Sequence, residues 1–318
     1  MQWAILTSGG DAPGMNAAIR AFVRRGLLDH HTIWGIPRGF EGIARGCRRE
    51  LQTGSVADII MTGGTMLHTS RFAEFQDKQV QSQALRQLRD WNLDGLVVLG
   101  GNGSLRGAYA LSEAGFPTIG IPTSIDNDIY GTDYSIGYDT AMNNIIQSVD
   151  KIRDTASAHE RIFVVEVMGN QSGALALGAG LAAGAEAVVI PERPPNFEHI
   201  LERLRSTQAR GKKHSFIIVA EGAGRAEQVA AHLAQGTGFE VRWAVLGHTQ
   251  RGGPPTARDR ILGSWLGAEA VTILSQGRSG VMIGVQGERV CITPLSEVVQ
   301  HERPVDFAAK GLIGMLAH

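Results

Sequence analysis

The residues best suited to chemistry lie in the segment GIPTSIDNDIYGTDYS, where Asp126 and Asp128 stand two apart beside Ser124. Two carboxylates at one turn suit a general base and an electrostatic or metal partner. An Asx-type turn, in which Asp126 and Asn127 bond their own backbone, suits the same residues, and this stretch alone leaves both readings open. Further along, RFAEF, HERIF, EVRWAVLGH and VLGHTQRGGPP supply Arg71, Arg161, Arg242, His248 and Arg251, and AEGAG supplies Glu221. Scattered arginines are usually solvated, but several of these adjoin strand ends or glycine turns, where a guanidinium fork binds phosphate oxygens in pairs.

Two glycine-rich turns reinforce a phosphate reading. In AILTSGGDAPGMNAAIR a strand-like run ends near Ser8, Gly9 and Gly10 allow backbone N–H groups to approach a ligand, and GMNAAIRAFVRR opens a helix with its positive end toward the same space. The spacing of Gly9, Gly10 and Gly14 fits neither the dinucleotide fingerprint nor the P-loop, and a plain strand-to-helix turn accounts for it equally well. A second stretch, VVLGGNGSLRG, repeats the arrangement, and two such turns at one sheet edge suit a ligand with several phosphates.

The elements that must position these groups follow from the apolar runs. Strand-like segments recur at 3–7, 95–100, 117–122, 162–168, 186–190 and 215–221, most of them separated by stretches of helical length. That alternation predicts mostly parallel sheets covered by helices, with ligands at the strand ends where the glycines fall. The segment DTAMNNIIQSVDKIRDT predicts a long helix over 139–155 leading to a second, similar α/β unit. At 318 residues the chain is long for a single core, so two domains are expected.

Composition removes several functional classes. Lys plus Arg (30) balances Asp plus Glu (31), leaving no broad electrostatic drive toward nucleic acid or anionic membrane. The two cysteines, Cys47 and Cys291, have neither metal-ligand nor disulfide-framework spacing, and Met1 leads straight into WAILTSGG, so a reducing cytoplasm is the expected location. No membrane span is expected, since GALALGAGLAAGAEAVVI, the nearest candidate, contains Glu186 and reads as a packed helix followed by a strand.

Taken together, TSGGDAPGMNAAIR, IDNDIYGTDYSIG, IRDTASAHERI, VVEVMG, RGKKH and VLGHTQRGG resemble the bacterial ATP-dependent 6-phosphofructokinases, at nearly constant register from residue 4 to about 290. The resemblance implies two similar Rossmann-like three-layer domains, 1–138 with 251–300 for the donor and 139–250 with 301–318 for the sugar phosphate. It implies a cytoplasmic glycolytic transferase that moves the γ-phosphoryl of ATP to the 1-hydroxyl of fructose 6-phosphate with Mg²⁺, in a homotetramer. Donor contacts would come from Gly10, Phe40, Arg71, Phe72, Gly101, Asn102, Gly103 and Ser104. Asp126 would be the base, assisted by Arg71 and Ser124, and Asp128 with Asn102 would face the metal. Sugar phosphate would meet Ser124, Asp126, Asp128, Met168, Gly169, Asn170, Glu221, His248 and Arg251, with Arg161 and Arg242 reaching from a neighbouring subunit. An effector site for ADP or phosphoenolpyruvate would use Arg20, Arg24, Asp58, Arg153, Glu186, Arg210, Lys212, Lys213 and His214, with Thr53 where relatives often carry arginine.

Four residues depart from the pattern of that family. Asn102 stands for an aspartate that serves Mg²⁺, Thr123 for a glycine, and Gln76 and Asn170 for arginines. An amide brings no charge to a cation that prefers carboxylates. Losing one transition-state contact of this kind, worth about 3 to 4 kcal/mol, slows turnover about a hundredfold or more. Thr123 adds a branched side chain where glycine lets the donor approach, and the residues that mark pyrophosphate-dependent relatives are missing at Thr123 and Gly103. Two expectations follow: an attenuated kinase, which retention of Asp126 favours, or a non-catalytic paralogue that binds sugar phosphate or effector, alone or in mixed tetramers.

Overall fold

The computed structural model describes residues 1–316. In chain order the elements are β1 (Gln2–Thr7), α1 (Met15–Leu28), β2 (Thr32–Ile36), α2 (Phe40–Ala44), β3 (Arg49–Glu50), α3 (Lys78–Asp90), β4 (Gly95–Gly100), α4 (Asn102–Glu113), β5 (Thr118–Pro122) and α5 (Tyr138–His159). Then come β6 (Ile162–Val167), α6 (Ala174–Ala182), β7 (Ala187–Val189), α7 (Phe197–Ala209), β8 (Ser215–Ala220), α8 (Ala226–Thr237) and β9 (Val241–Val245). The chain closes with α9 (Ala257–Ser275), β10 (Val281–Gln286), β11 (Arg289–Pro294), α10 (Leu295–Gln300) and α11 (Phe307–Leu316). It divides into two compact units, Met1–Thr140 with Arg251–Arg303, and Ala141–Gln250 with the stretch from Pro304.

The first unit is built on a seven-stranded sheet of order β11-β10-β5-β4-β1-β2-β3, parallel except for the edge strands β3 and β11. Both faces of its central strands are buried. Trp3 and Ile5 of β1 join Val97 and Leu99 of β4 in one core, while Ala4 and Leu6 join Leu96 and Val98 in the core on the other face. This is why these strands read as unbroken apolar runs and not as an alternation. Each fully buried side chain of this size contributes about 1.5–3 kcal/mol. On one face α1 and α9 pack closely, with no room for a Cβ at Gly267 against the Ala18 carbonyl oxygen.

Strand order also fixes where a ligand can sit. The chain runs from β1 outward to β2, then returns to the other side of β1 for β4 and β5. Helices that follow β1 and β4 therefore diverge, and the crevice between the carboxyl ends of these strands is a topological switch point. The loops that carry Gly10, Asn102 and Asp126 leave the adjacent parallel strands β1, β4 and β5 at that edge.

The second unit has a four-stranded, all-parallel sheet of order β7-β8-β6-β9. Of its three adjacent strands β8, β6 and β9, the first two end next to Glu221 and Met168, and β9 ends three residues before His248. The predicted helix at 139–155 is α5, which extends to His159, and the unit division falls within it at Thr140. Among the described residues no helix is long and apolar enough to cross a membrane. Cys47 and Cys291 are free thiols.

Candidate active site

In the first unit the phosphate loops form one wall of a cavity of about 570 Å³. Gly9, Gly10, Gly101, Gly103 and Ser104 line it together with Arg71 and Phe72, and α4 begins at Asn102 with its free N–H groups at this edge. Phe40 lines the cavity and stacks on Phe75, their ring centroids 4.0 Å apart. A flat, apolar floor beside a phosphate cradle suits a nucleotide base. Gln76 also lines it.

The loop bearing Arg71 is fixed from several directions. Gly9 donates its N–H to the Ser70 carbonyl at 3.1 Å, and Thr69 donates its hydroxyl to the Gly9 carbonyl at 2.9 Å. Upstream, the buried Asn16 amide accepts from Met66 N–H at 2.8 Å and donates to the Thr62 hydroxyl at 2.8 Å. Asn16 is thus a supporting residue that local pattern did not single out. Its only sequence signal is a polar side chain at the second position of an otherwise apolar helix face.

The acidic turn is braced from several directions. Ser124 accepts the Asp126 N–H at 3.1 Å. The buried Asn127 bonds across the loop, its amide donating to the Asp133 carbonyl at 3.1 Å and accepting from Ser135 N–H at 2.8 Å. Asn127 therefore closes a longer loop, and its φ of 51° is a left-handed conformation that asparagine tolerates. Arg303 completes the brace by donating to the carbonyls of Asn127 at 2.5 Å and Asp133 at 2.8 Å.

Asn102 and Asp128, from neighbouring strand ends, meet: the Asn102 amide donates to Asp128 Oδ2 at 2.9 Å. Burial pushes the Asp128 carboxyl above its ordinary value, while its backbone hydrogen bond, the Asn102 amide and the Ser124 hydroxyl pull it down. No group of three or more His, Cys, Asp or Glu able to hold a metal ion exists among the described residues. Asp128 with the Asn102 oxygen still fits Mg²⁺, which needs only one or two protein oxygens when phosphates and water supply the rest.

Thr123 is 2% exposed, donates its hydroxyl to the Ile121 carbonyl at 3.2 Å, and does not line the cavity. Its branched side chain packs inward because its backbone continues the sheet through a bridge to Ile136. Arg251 donates to the Asp11 carbonyl at 3.1 Å, and a Cβ at Gly10 would fall 2.9 Å from its Nη1, so its guanidinium lies against the first glycine loop.

In the second unit the groups form their own cluster. Glu221 accepts the Asn170 N–H at 2.9 Å, drawing the ends of β8 and β6 together. Gly169 has a φ of 138° and would place a Cβ 2.6 Å from the Ser172 carbonyl oxygen, so no other residue fits this turn. Asn170 also takes a left-handed φ, 52°, which asparagine accepts more readily than arginine. Gln250, buried, accepts the Met168 N–H at 3.1 Å and donates to the Gly247 carbonyl at 2.9 Å, joining the turn that holds the exposed His248 to the end of β6. Arg161 and Arg242 both pair with Glu240, Arg161 at 2.6 Å.

The effector candidates fall into separate groups. Arg20 and Arg24 lie on α1, which packs on the short turn Thr53–Val56, with Asp58 just beyond it at a φ of 54°. In the other unit Arg153 lies over the Phe216 ring at 4.7 Å, and the buried Glu186 pairs with Lys212 and accepts the Phe216 N–H at 2.5 Å. His214 adjoins the same ring, and burial holds its pKa below the ordinary value. Arg210 caps α7, and Lys213 pairs with Glu160 at 2.6 Å, so neither joins that cluster.

Residues 2–274 match the phosphofructokinase family model. The chain is 50% identical to the ATP-dependent 6-phosphofructokinase of Brevibacillus brevis, over 96% of each chain. It is 49% identical to the enzyme of that name from Listeria monocytogenes, over 99% of this chain and 98% of the relative. Among solved structures it is similar to phosphofructokinase from Saccharomyces cerevisiae, with a TM-score of 0.88, 35% identity, and coverage of 94% of this chain and 45% of the yeast chain.

Proposed function

The chain belongs to the phosphofructokinase family, and from that premise we infer that it transfers the γ-phosphoryl group of ATP to the 1-hydroxyl of fructose 6-phosphate. The observation that carries this reading is the braced acidic turn at the carboxyl end of β5, held beside the α4 N-terminus and the glycine loop after β1. A phosphate cradle and an oriented carboxylate are the two things this chemistry needs from a protein.

The ATP base lies on Phe40 and Phe72, and its phosphates lie along the loops at Gly10 and Gly101–Ser104. Asp126 accepts the proton of the sugar 1-hydroxyl while that oxygen bonds to the γ-phosphorus and the bond to the β-phosphate oxygen breaks, releasing ADP. Arg71 and the N–H groups of α4 meet the charge on the transferring phosphoryl oxygens, and removing one such contact costs about a hundred- to a thousandfold in turnover. Arg251 steadies the Gly10 loop. Asp128 and Asn102 would hold Mg²⁺, which would supply charge neutralisation for the transferring phosphoryl group. Met168, Gly169, Asn170, Glu221 and His248 take the sugar phosphate.

The wider reading is a cytoplasmic glycolytic homotetramer in which Arg161 and Arg242 serve a neighbouring active site. ADP or phosphoenolpyruvate would act at the cluster of Arg153, Glu186, Lys212 and His214. No observation favours the non-catalytic alternative. Phosphorus-31 NMR of a reaction containing purified protein, ATP, Mg²⁺ and fructose 6-phosphate tests the reading. Appearance of fructose 1,6-bisphosphate and ADP supports it; unchanged substrates with ATP overturn it.

A further inference from the structure

A second cavity, of about 460 Å³, opens in the second unit between the turn at Arg193–Asn196, the first turns of α7, and α11. It is distinct from every group assigned above. Arg193, Arg203, His199 and Lys310 line it, and no carboxylate does. The remaining lining is mostly apolar, with Ile200, Phe307 and Ile313 among it.

The cations are held in place. Arg193 lies over the Phe307 ring at 4.2 Å. Arg203 donates to the Glu186 carbonyl at 2.8 Å and lies 3.1 Å from His199 Nε2. A Cβ at Gly314 would fall 3.1 Å from Arg203 Nη2, so α11 approaches closely, and Lys310 lies one turn earlier on the same face. Among the described residues neither Arg193 nor Lys310 forms an ion pair. The Lys310 ammonium is pushed below its ordinary value, first by burial and then by the Arg193 charge, with Glu192 opposing.

Like charges gathered around a partly apolar hollow repel one another and lose hydration, and an anion seated among them relieves both costs. We propose that this cavity binds a small organic anion, its charged head on Arg193 and Lys310 and its apolar body against Ile200, Phe307 and Ile313. Phosphate monoesters and carboxylates share the required chemistry. Because Arg203 reaches the Glu186 backbone, the site adjoins the proposed effector cluster without sharing its ligand groups. The inference stands or falls independently of the catalytic reading.

Calorimetric titration of the intact protein tests it, with phenyl phosphate and benzoate as probes of the two heads and phenol as the uncharged control. Saturable binding of at least one anion and none of phenol is expected. The double variant Arg193→Gln/Lys310→Gln should bind that anion at least tenfold more weakly, with ATP affinity unchanged as the check on folding. Lys310→Arg should retain it. An anion that binds wild type and double variant alike, or no binding of either anion at about 1 mM, the weak end of specific affinity, would overturn the proposal.

Discussion

The Asn102 amide donates a hydrogen bond of 2.9 Å to Oδ2 of Asp128, joining the first residue of α4 to the acidic turn after β5. Aspartate at position 102 would set two carboxylates at hydrogen-bond distance. Such a pair either shares a proton or captures a cation. Asparagine avoids the repulsion and orients Asp128, at the cost of one negative charge toward Mg²⁺.

Asn102→Asp should therefore strengthen the dependence on Mg²⁺ at its low-concentration end. Initial rates against Mg²⁺ at fixed ATP should show half-saturation at about tenfold lower metal than wild type, in line with the contribution of one carboxylate ligand. Equal half-saturation in both proteins would show that position 102 does not face the metal.

The pH profile should carry the mark of Asp128. In the metal-free protein its pKa is raised, chiefly by burial, so the acid limb of metal binding should lie above the ordinary carboxylate range and Mg²⁺ affinity should fall as pH falls through it. Asn102→Ala removes a bond that favours the charged form and should move that limb to higher pH. The sign for stability is opposite. A raised native pKa contributes stability that is complete below the ordinary value of 3.8 and is lost as pH rises through the native one. Mg²⁺ affinities of both proteins measured between pH 4 and 8 check the shift.

Gly10→Ala should disturb Arg251. The added methyl would fall 2.9 Å from Nη1, and the guanidinium must give way. Steady-state kinetics should show kcat/KM lowered about tenfold or more, with little change in the urea midpoint because only a side-chain end moves. A lowered midpoint together with unchanged kinetics would show that the contact is purely structural.

Asp259 supports the start of α5 from within the core of the first unit. It is 1% exposed and accepts from Gly137 N–H at 2.9 Å, Thr140 N–H at 2.8 Å and the Thr140 hydroxyl at 2.5 Å. Asp259→Ala orphans buried donors that each cost about 1–3 kcal/mol, so denaturant unfolding should show a loss of at least about 3 kcal/mol. Asp259→Asn, which keeps acceptor capacity, should lose less. Burial raises the Asp259 pKa, which makes the neutral amide the milder change.

The elements legible in the sequence were those whose signal is local. Central strands such as Leu96–Leu99 announce themselves because both faces are buried, and the glycine turns that follow them mark the ligand edge. The hairpin of β10 and β11 was not among the predicted strands, although its two-residue turn begins at Gly287 with a φ of 60°. The short β2, interrupted by Gly35, gave too little apolar run to stand out. Support for the site was hidden by distance along the chain. Asn16, Gln250 and Arg303 act on partners 50, 82 and 176 residues away, and no local pattern shows such pairings. Thr123, whose residue type suggested a clash, is buried, with its hydroxyl bonded to the Ile121 carbonyl two residues back.

The most direct test of the account is the steady-state rate of ATP- and Mg²⁺-dependent phosphorylation of fructose 6-phosphate by wild type and by Asp126→Asn. Wild type should turn over, and the variant should lose kcat by about a hundred- to ten-thousandfold, as expected for a general base, while its KM for ATP stays within about twofold. Equal rates in the two proteins, or no turnover by wild type, would contradict it.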